Sequence, residues 1–252
     1  MKKIAELFAQ YKVCPKSCYG NNSPVRVFQK FYPDNYYNKE LEVFLSYQDY
    51  LPTQRGADLP WWGKDYFGDK DGFRVMIIGQ DSKAEDAGHI VFFTHLMPAV
   101  SSEADYKRYI QTLQIKRPFA FKNWERIKEL FTTQWGTNLN YLYVTDGTKV
   151  YRNGSWRDRD FDKKKSKDLL EEEIDLCNPN LIVILGGSPL SLLDKSREYT
   201  FTVEGGKVIS IRGRRCVVVP FPIGQGRSQY NFRNRLSIAT RLIKNTVSNN
   251  YE

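Results

Sequence analysis

Histidine is nearly missing from this 252-residue chain, which carries only His89 and His95. Two histidines so spaced make no metal-binding motif, and no metal or cofactor is expected. Cysteine is sparse too, at positions 14, 18, 177 and 216. That density argues against the disulfide framework of a secreted domain and for ordinary reduced thiols. No apolar run approaches the length of a membrane span. Lys2 and Lys3 are followed by Glu6, Gln10 and Lys12, which interrupt any apolar signal core. The expected location is therefore the cytoplasm, with no membrane partner. Repeats and low-complexity tracts are lacking as well.

What the chain does have is apolar and aromatic content, at 41% and 14%, enough for a globular core in one large domain or a domain with an extension. Lys and Arg outnumber Asp and Glu by 38 to 29, a net charge of +9. Such an excess suits an anionic partner, nucleic acid before a membrane surface, or reflects a merely basic background. Residues 1–72 are aromatic-rich and irregular, punctuated by Pro and Gly, and read as an N-terminal extension packed on the core. From Phe73 onward, strands alternate with helices. "FRVMIIG", "LNYLYVTDG" and "NLIVILGG" are apolar runs of the kind that buried strands show. "EADYKRYIQTLQIK", "FKNWERIKELFTTQW", "FDKKKSKDLLEEEIDLCNPN" and "NFRNRLSIATRLIKNTV" have helical spacing. Ser188 and Pro189 predict the N-cap and first position of another helix. "YTFTVEGGKVISIRGRRCVVVPFP" reads as a hairpin around Gly205-Gly206 followed by a strand that Cys216 opens. The expectation is one α/β domain over 73–252, a three-layer α/β/α sandwich with a mostly parallel central sheet.

Ligands of such sheets bind at the C-terminal ends of the strands. Three ends carry polar or glycine-rich sequence: Gly79-Gln80-Asp81, Asp146-Gly147, and Pro220-Phe221-Pro222 with its Gly224-Gln225-Gly226-Arg227 loop. Each reads in two ways. Asp81 is a catalytic carboxylate or the first polar residue after a core strand. Asp146 is a recognition group or a cap before the turn that Gly147 makes. Phe221 is a stacking platform or core.

Together these segments resemble the uracil-DNA glycosylase superfamily over roughly residues 73–245. "VMIIGQDSKAEDAG" is similar to its first motif, "YLYVTDGTKVYR" to its strand ending in Thr-Asn, and "LLEEEIDLCNPNLIVILGGSPLSLL" to its helix–strand–helix unit. "VVVPFPIGQGRSQYN" stands where the family carries a His-Pro-Ser loop. The resemblance implies that Asp81 positions the attacking water, with Gln80 before it, and that Phe92 or Phe93 stacks on the base. It implies that Asp146 stands at the base-reading position and Phe221 at that of the histidine. The departures are Ser82 for proline, Asp146 for asparagine, Phe221 for histidine and Ile223 for serine. Cys14 and Cys18 only loosely match the first pair of the iron–sulfur cluster that some branches hold, and no cysteine stands at the other two ligand positions.

An asparagine amide matches uracil with a donor and an acceptor, whereas an ionised Asp146 offers acceptors only. Two acceptors suit the N1-H and N2-H2 of guanine, or less fully an exocyclic amine, and oppose uracil O4. The implied function is hydrolysis of the N-glycosidic bond of a non-uracil or damaged base in DNA, a DNA-repair activity. The alternatives are an inactive relative that binds nucleic acid or a nucleotide in the same cleft, and a protein-interaction scaffold. For DNA, single- or double-stranded, the candidate backbone contacts are Arg214, Arg215 and Arg227 with Gly224 and Gly226, and further cations at Arg212, Arg233 and Arg235. Tyr230 reads as a wedge or as core. The lysines at 163–165 and 167 read as a solvated helix face.

Overall fold

The computed structural model describes residues 60–69, 71–80, 102–112, 118–148 and 163–249. Six strands form one sheet: β1 (Trp61–Trp62), β2 (Val75–Gly79), β3 (Leu142–Asp146), β4 (Leu181–Leu185), β5 (Ile209–Ile211) and β6 (Arg214–Val219). Their order across the sheet is β1-β3-β2-β4-β6-β5. β3, β2, β4 and β6 run parallel, and β5 is antiparallel to β6. The described α-helices are α1 (Glu103–Thr112), α2 (Phe121–Glu129), α3 (Lys163–Cys177), α4 (Gly187–Leu193), α5 (Tyr199–Glu204) and α6 (Phe232–Ser248). The chain is thus α/β with a mixed, mostly parallel sheet, and about half of the described residues are helical. No described helix is long and apolar enough to cross a membrane.

The chain divides into two compact units. One, made of 62–80, 122–147 and 177–252, contains β2 to β6. Every residue of β2, β3 and β4 in it is buried. A strand buried on both faces cannot alternate apolar and polar residues, which is why VMIIG and LIVIL are continuous apolar runs. α6 packs on β6 and α5, and Ala239, Ile243 and Val247 form its buried stripe at four-residue spacing. Beyond β3, Trp62 stacks on Tyr143 with centroids 6.0 Å apart, and Tyr66 lies 5.5 Å from the same ring. After α2 the chain widens into one π turn, Leu130–Gln134, which stacks Phe131 on Trp135.

The other unit, made of 1–61, 81–121 and 148–176, includes α1 and most of α3. Ser102 starts α1 by accepting a hydrogen bond from the Asp105 N–H at 3.2 Å. Tyr106 on α1 accepts from the Ala120 N–H at 3.1 Å. On α3, Lys164–Asp168 and Lys167–Glu171 are i,i+4 pairs, in keeping with a solvated basic helix face.

Three sequence expectations are corrected. Residues 199–204 are helical although they carry the β-formers Tyr, Thr, Phe and Val. Glu198 caps that helix, its carboxylate accepting from the Thr200 and Phe201 N–H groups at 3.1 Å each. The hairpin instead joins β5 to β6 through Arg212 and Gly213, with φ of 49° and 72°. Positive φ at both central residues of a two-residue loop is the turn whose twist matches a hairpin. α4 begins at Gly187 with Gly186 as its cap, two residues before the expected Ser188 cap. Cys216 lies inside β6 rather than at its start; burial pushes its thiol pKa far upward.

Candidate functional site at the C-terminal edge of the sheet

Parallel register brings four strand ends to one edge. Gly79 pairs with Asp146, and Leu185 with Val219. The chain leaves β2 toward β3 on one side and β4 toward β6 on the other. The gap between the ends of β2 and β4 is therefore the switch point at which open α/β sheets take ligands. Gly79-Gln80 borders it on one side and Gly186-Gly187 on the other.

Asp146 is 3% exposed at this edge. A β-carbon built on Gly79 would stand 2.1 Å from Asp146 Oδ1, so a side chain there would push the carboxylate out of its present place. The Gly147 N–H donates to the Gly79 carbonyl at 2.9 Å, fixing the two strand ends together. Pro189 and Leu192 of α4 lie against Gly147. A carboxylate held in such a cradle is a positioned acceptor at the mouth of the sheet.

The ends of β4 and β6 are built by similar close approach. Gly186 takes φ 89°, a conformation that glycine adopts at little cost, and its N–H donates to the Val219 carbonyl at 2.8 Å. Gly187 lets the Tyr199 ring approach. Burial raises the Tyr199 hydroxyl pKa, with Arg235 opposing it, and the hydroxyl donates to Gln229 Oε1 at 3.3 Å. Phe221 is half-buried beside Gly186. Gly226 is buried, and a β-carbon there would stand 2.1 Å from the Phe221 carbonyl oxygen. Its missing side chain thus serves an internal approach.

Beyond Gln229 opens a cleft of about 790 Å³, lined by Asn123 and Arg126 of α2 and by 227–229 and 231–233. Arg126, Arg227 and Arg233 are three of its lining residues, and among the described residues the lining holds no carboxylate. Arg235, two residues further along α6, differs. It is 5% exposed and donates through Nε and Nη2 to Glu204 Oε1 at 2.9 and 2.7 Å, so it is a structural ion pair.

The structure therefore brings together Gln80, Asp146, Phe221, Gly224 and Gly226 near one sheet edge, with Arg227 following. Arg214 and Arg215 begin β6 and so lie at the opposite edge, a strand length of roughly 15 Å away. There Arg215 stacks over Phe73 at 5.7 Å, and Arg212 sits in the β5–β6 turn. Tyr230 is 85% exposed in the loop before α6, so it is not core. Asp81, Phe92, Phe93, His89, His95, Cys14 and Cys18 lie outside the described residues. Sequence reasoning missed Gly186-Gly187 and Arg126 as site residues. The paired glycines after an apolar strand were a usable signal; Arg126, on a helix face about a hundred positions from Arg227, gave none. No protein-family model matches this chain, and no curated protein matches it.

Proposed function

We propose that this protein is a nucleobase-recognising member of the uracil-DNA glycosylase type, a three-layer α/β/α sandwich. In this reading it hydrolyses the N-glycosidic bond of a non-uracil or damaged base in DNA. The observation that carries the reading is the buried Asp146 carboxylate seated over Gly79 at the C-terminal edge, beside the strand end that leads into Asp81. Burial of β2, β3 and β4 on both faces supports the layered arrangement. In this mechanism Asp81 orients a water whose oxygen bonds to C1′ as the C1′–N bond breaks. The base leaves with the electron pair and takes up a proton. Asp146 accepts hydrogen bonds from the base edge, which selects guanine-like donor pairs and opposes uracil O4. Phe92 or Phe93 stacks on the base.

Phe221 favours a second reading. A phenyl ring at the histidine position offers no hydrogen bond to the departing base, and loss of such charge stabilisation costs about 100-fold or more in rate. An inactive relative that holds nucleic acid or a nucleotide in the same place accommodates that residue. A base-release assay on single- and double-stranded DNA carrying uracil, hypoxanthine, xanthine or the normal bases separates the two. Release abolished by Asp81→Asn, with uracil disfavoured, is the expected result. DNA binding without release from any substrate would establish the second reading.

A further inference from the structure

We propose that the cleft between α2 and the start of α6 is a seat for a polyphosphate chain, two or more adjacent phosphates bound by Arg126, Arg227 and Arg233. The three guanidiniums come from three separate elements: α2, the 3₁₀ turn Gly224–Ser228 and the first turn of α6. None of them forms an ion pair among the described residues. Arg108, Arg197 and Arg235, by contrast, are paired with Asp105, Asp194 and Glu204. Three like charges lining one cleft with no carboxylate among the described lining residues repel one another, and an anion relieves that repulsion. The planar guanidinium fork binds phosphate oxygens in pairs, so three forks exceed what one phosphate uses. The positive end of α6 lies in the same lining, and Asn231, at φ 58°, places no side-chain cap on it. The volume, about 790 Å³, is that of a small-ligand site. Asn123, Ser228 and Gln229 add neutral hydrogen-bonding groups.

The seat is independent of the glycosylase reading, because Asp146 does not line it. Its chemistry serves a free nucleotide di- or triphosphate or consecutive phosphates of a nucleic-acid strand. The test is calorimetric titration of the full chain with inorganic triphosphate, orthophosphate and an oligonucleotide lacking terminal phosphates. Arg126→Met and Arg233→Met remove cleft charges, and Arg215→Met removes the same charge at the far edge. All three side chains are exposed, and circular dichroism checks that the variants fold. Triphosphate is expected to bind at least tenfold more tightly than orthophosphate. Each cleft variant is expected to lose tenfold or more, and Arg215→Met and Asp146→Asn less than twofold. Oligonucleotide binding lost in the same cleft variants and displaced by triphosphate assigns the seat to a strand. Triphosphate binding alone assigns it to a free nucleotide or polyphosphate. The proposal is overturned if triphosphate does not bind, or if Arg215→Met weakens it as much as the cleft variants do. Triphosphate binding without base release would remove the glycosylase reading and leave the seat standing.

Discussion

The two edges of the sheet handle polar groups differently. At the N-terminal edge the chain closes on itself: Asn180 Oδ1 accepts from the Arg74 N–H at 2.8 Å, and the Arg74 carbonyl accepts from the N–H groups of Asn180 and Leu181. Arg215 lies over Phe73, and a tight turn joins β5 to β6. At the C-terminal edge, glycines bring backbones close, a carboxylate is cradled, and three arginines line one cleft without acidic partners among the described residues. One edge completes the fold, while the other carries the candidate site, where a shape fixed in advance would lower the cost of binding a ligand.

Breaking the C-terminal edge should have the largest effect. Gly226→Ala drives a β-carbon into the Phe221 carbonyl, a backbone atom, and is expected to cost about 3 kcal/mol. Gly79→Ala meets the Asp146 side chain instead and is expected to cost about 2 kcal/mol. Made in an Asp146→Ala background, it should cost at least about 1 kcal/mol less, because the clashing carboxylate is gone. Urea denaturation of the single and double variants measures both values. If Gly79→Ala costs the same in either background, the cradle is not what the glycine provides.

Next in size is the contrast between arginines on one helix. Arg235→Met removes two charge-assisted hydrogen bonds to the solvent-reached Glu204 and is expected to lower stability by about 1 kcal/mol at neutral pH. Arg233→Met, two residues away and exposed, should change stability by less than about 0.5 kcal/mol. Equal losses would erase the distinction between a paired, buried arginine and an exposed one. Smallest is the closed edge: Arg215→Ala removes a cation–π contact among the interactions of an exposed side chain, and is expected to cost about 0.5 kcal/mol. Its urea midpoint should shift only slightly. A loss as large as that of Arg235→Met would mean that the closed edge contributes far more than its contacts suggest.

The strands were legible because burial on both faces writes itself as unbroken apolar runs, and parallel register then puts Asp146 beside Gly79. α5 was illegible because its residues favour strands and the deciding group, Glu198, lies outside them. Gly226 looked suited to a phosphate because a glycine's sequence position does not say which backbone approaches it. Arg214, Arg215 and Arg227 looked alike as cations, yet the first two begin the six-residue strand β6 and the third follows its other end. The arginine cleft was hidden for a related reason: its members meet only after α2 and α6 have docked in the fold.

The sheet also bears on how copies of this chain meet one another. Its inner strands, VMIIG and LIVIL, are uncharged, rich in β-formers and free of proline, the composition from which cross-β stacks assemble. The lateral strands are the opposite: β1 has two residues, and β5 has three, ending in a turn that carries Arg212. So short a border offers a second chain almost no ladder of free N–H and C=O groups on which to add. The sticky segments are therefore walled in sideways as well as above and below, and the folded state guards against the aggregation that its own core sequences would promote.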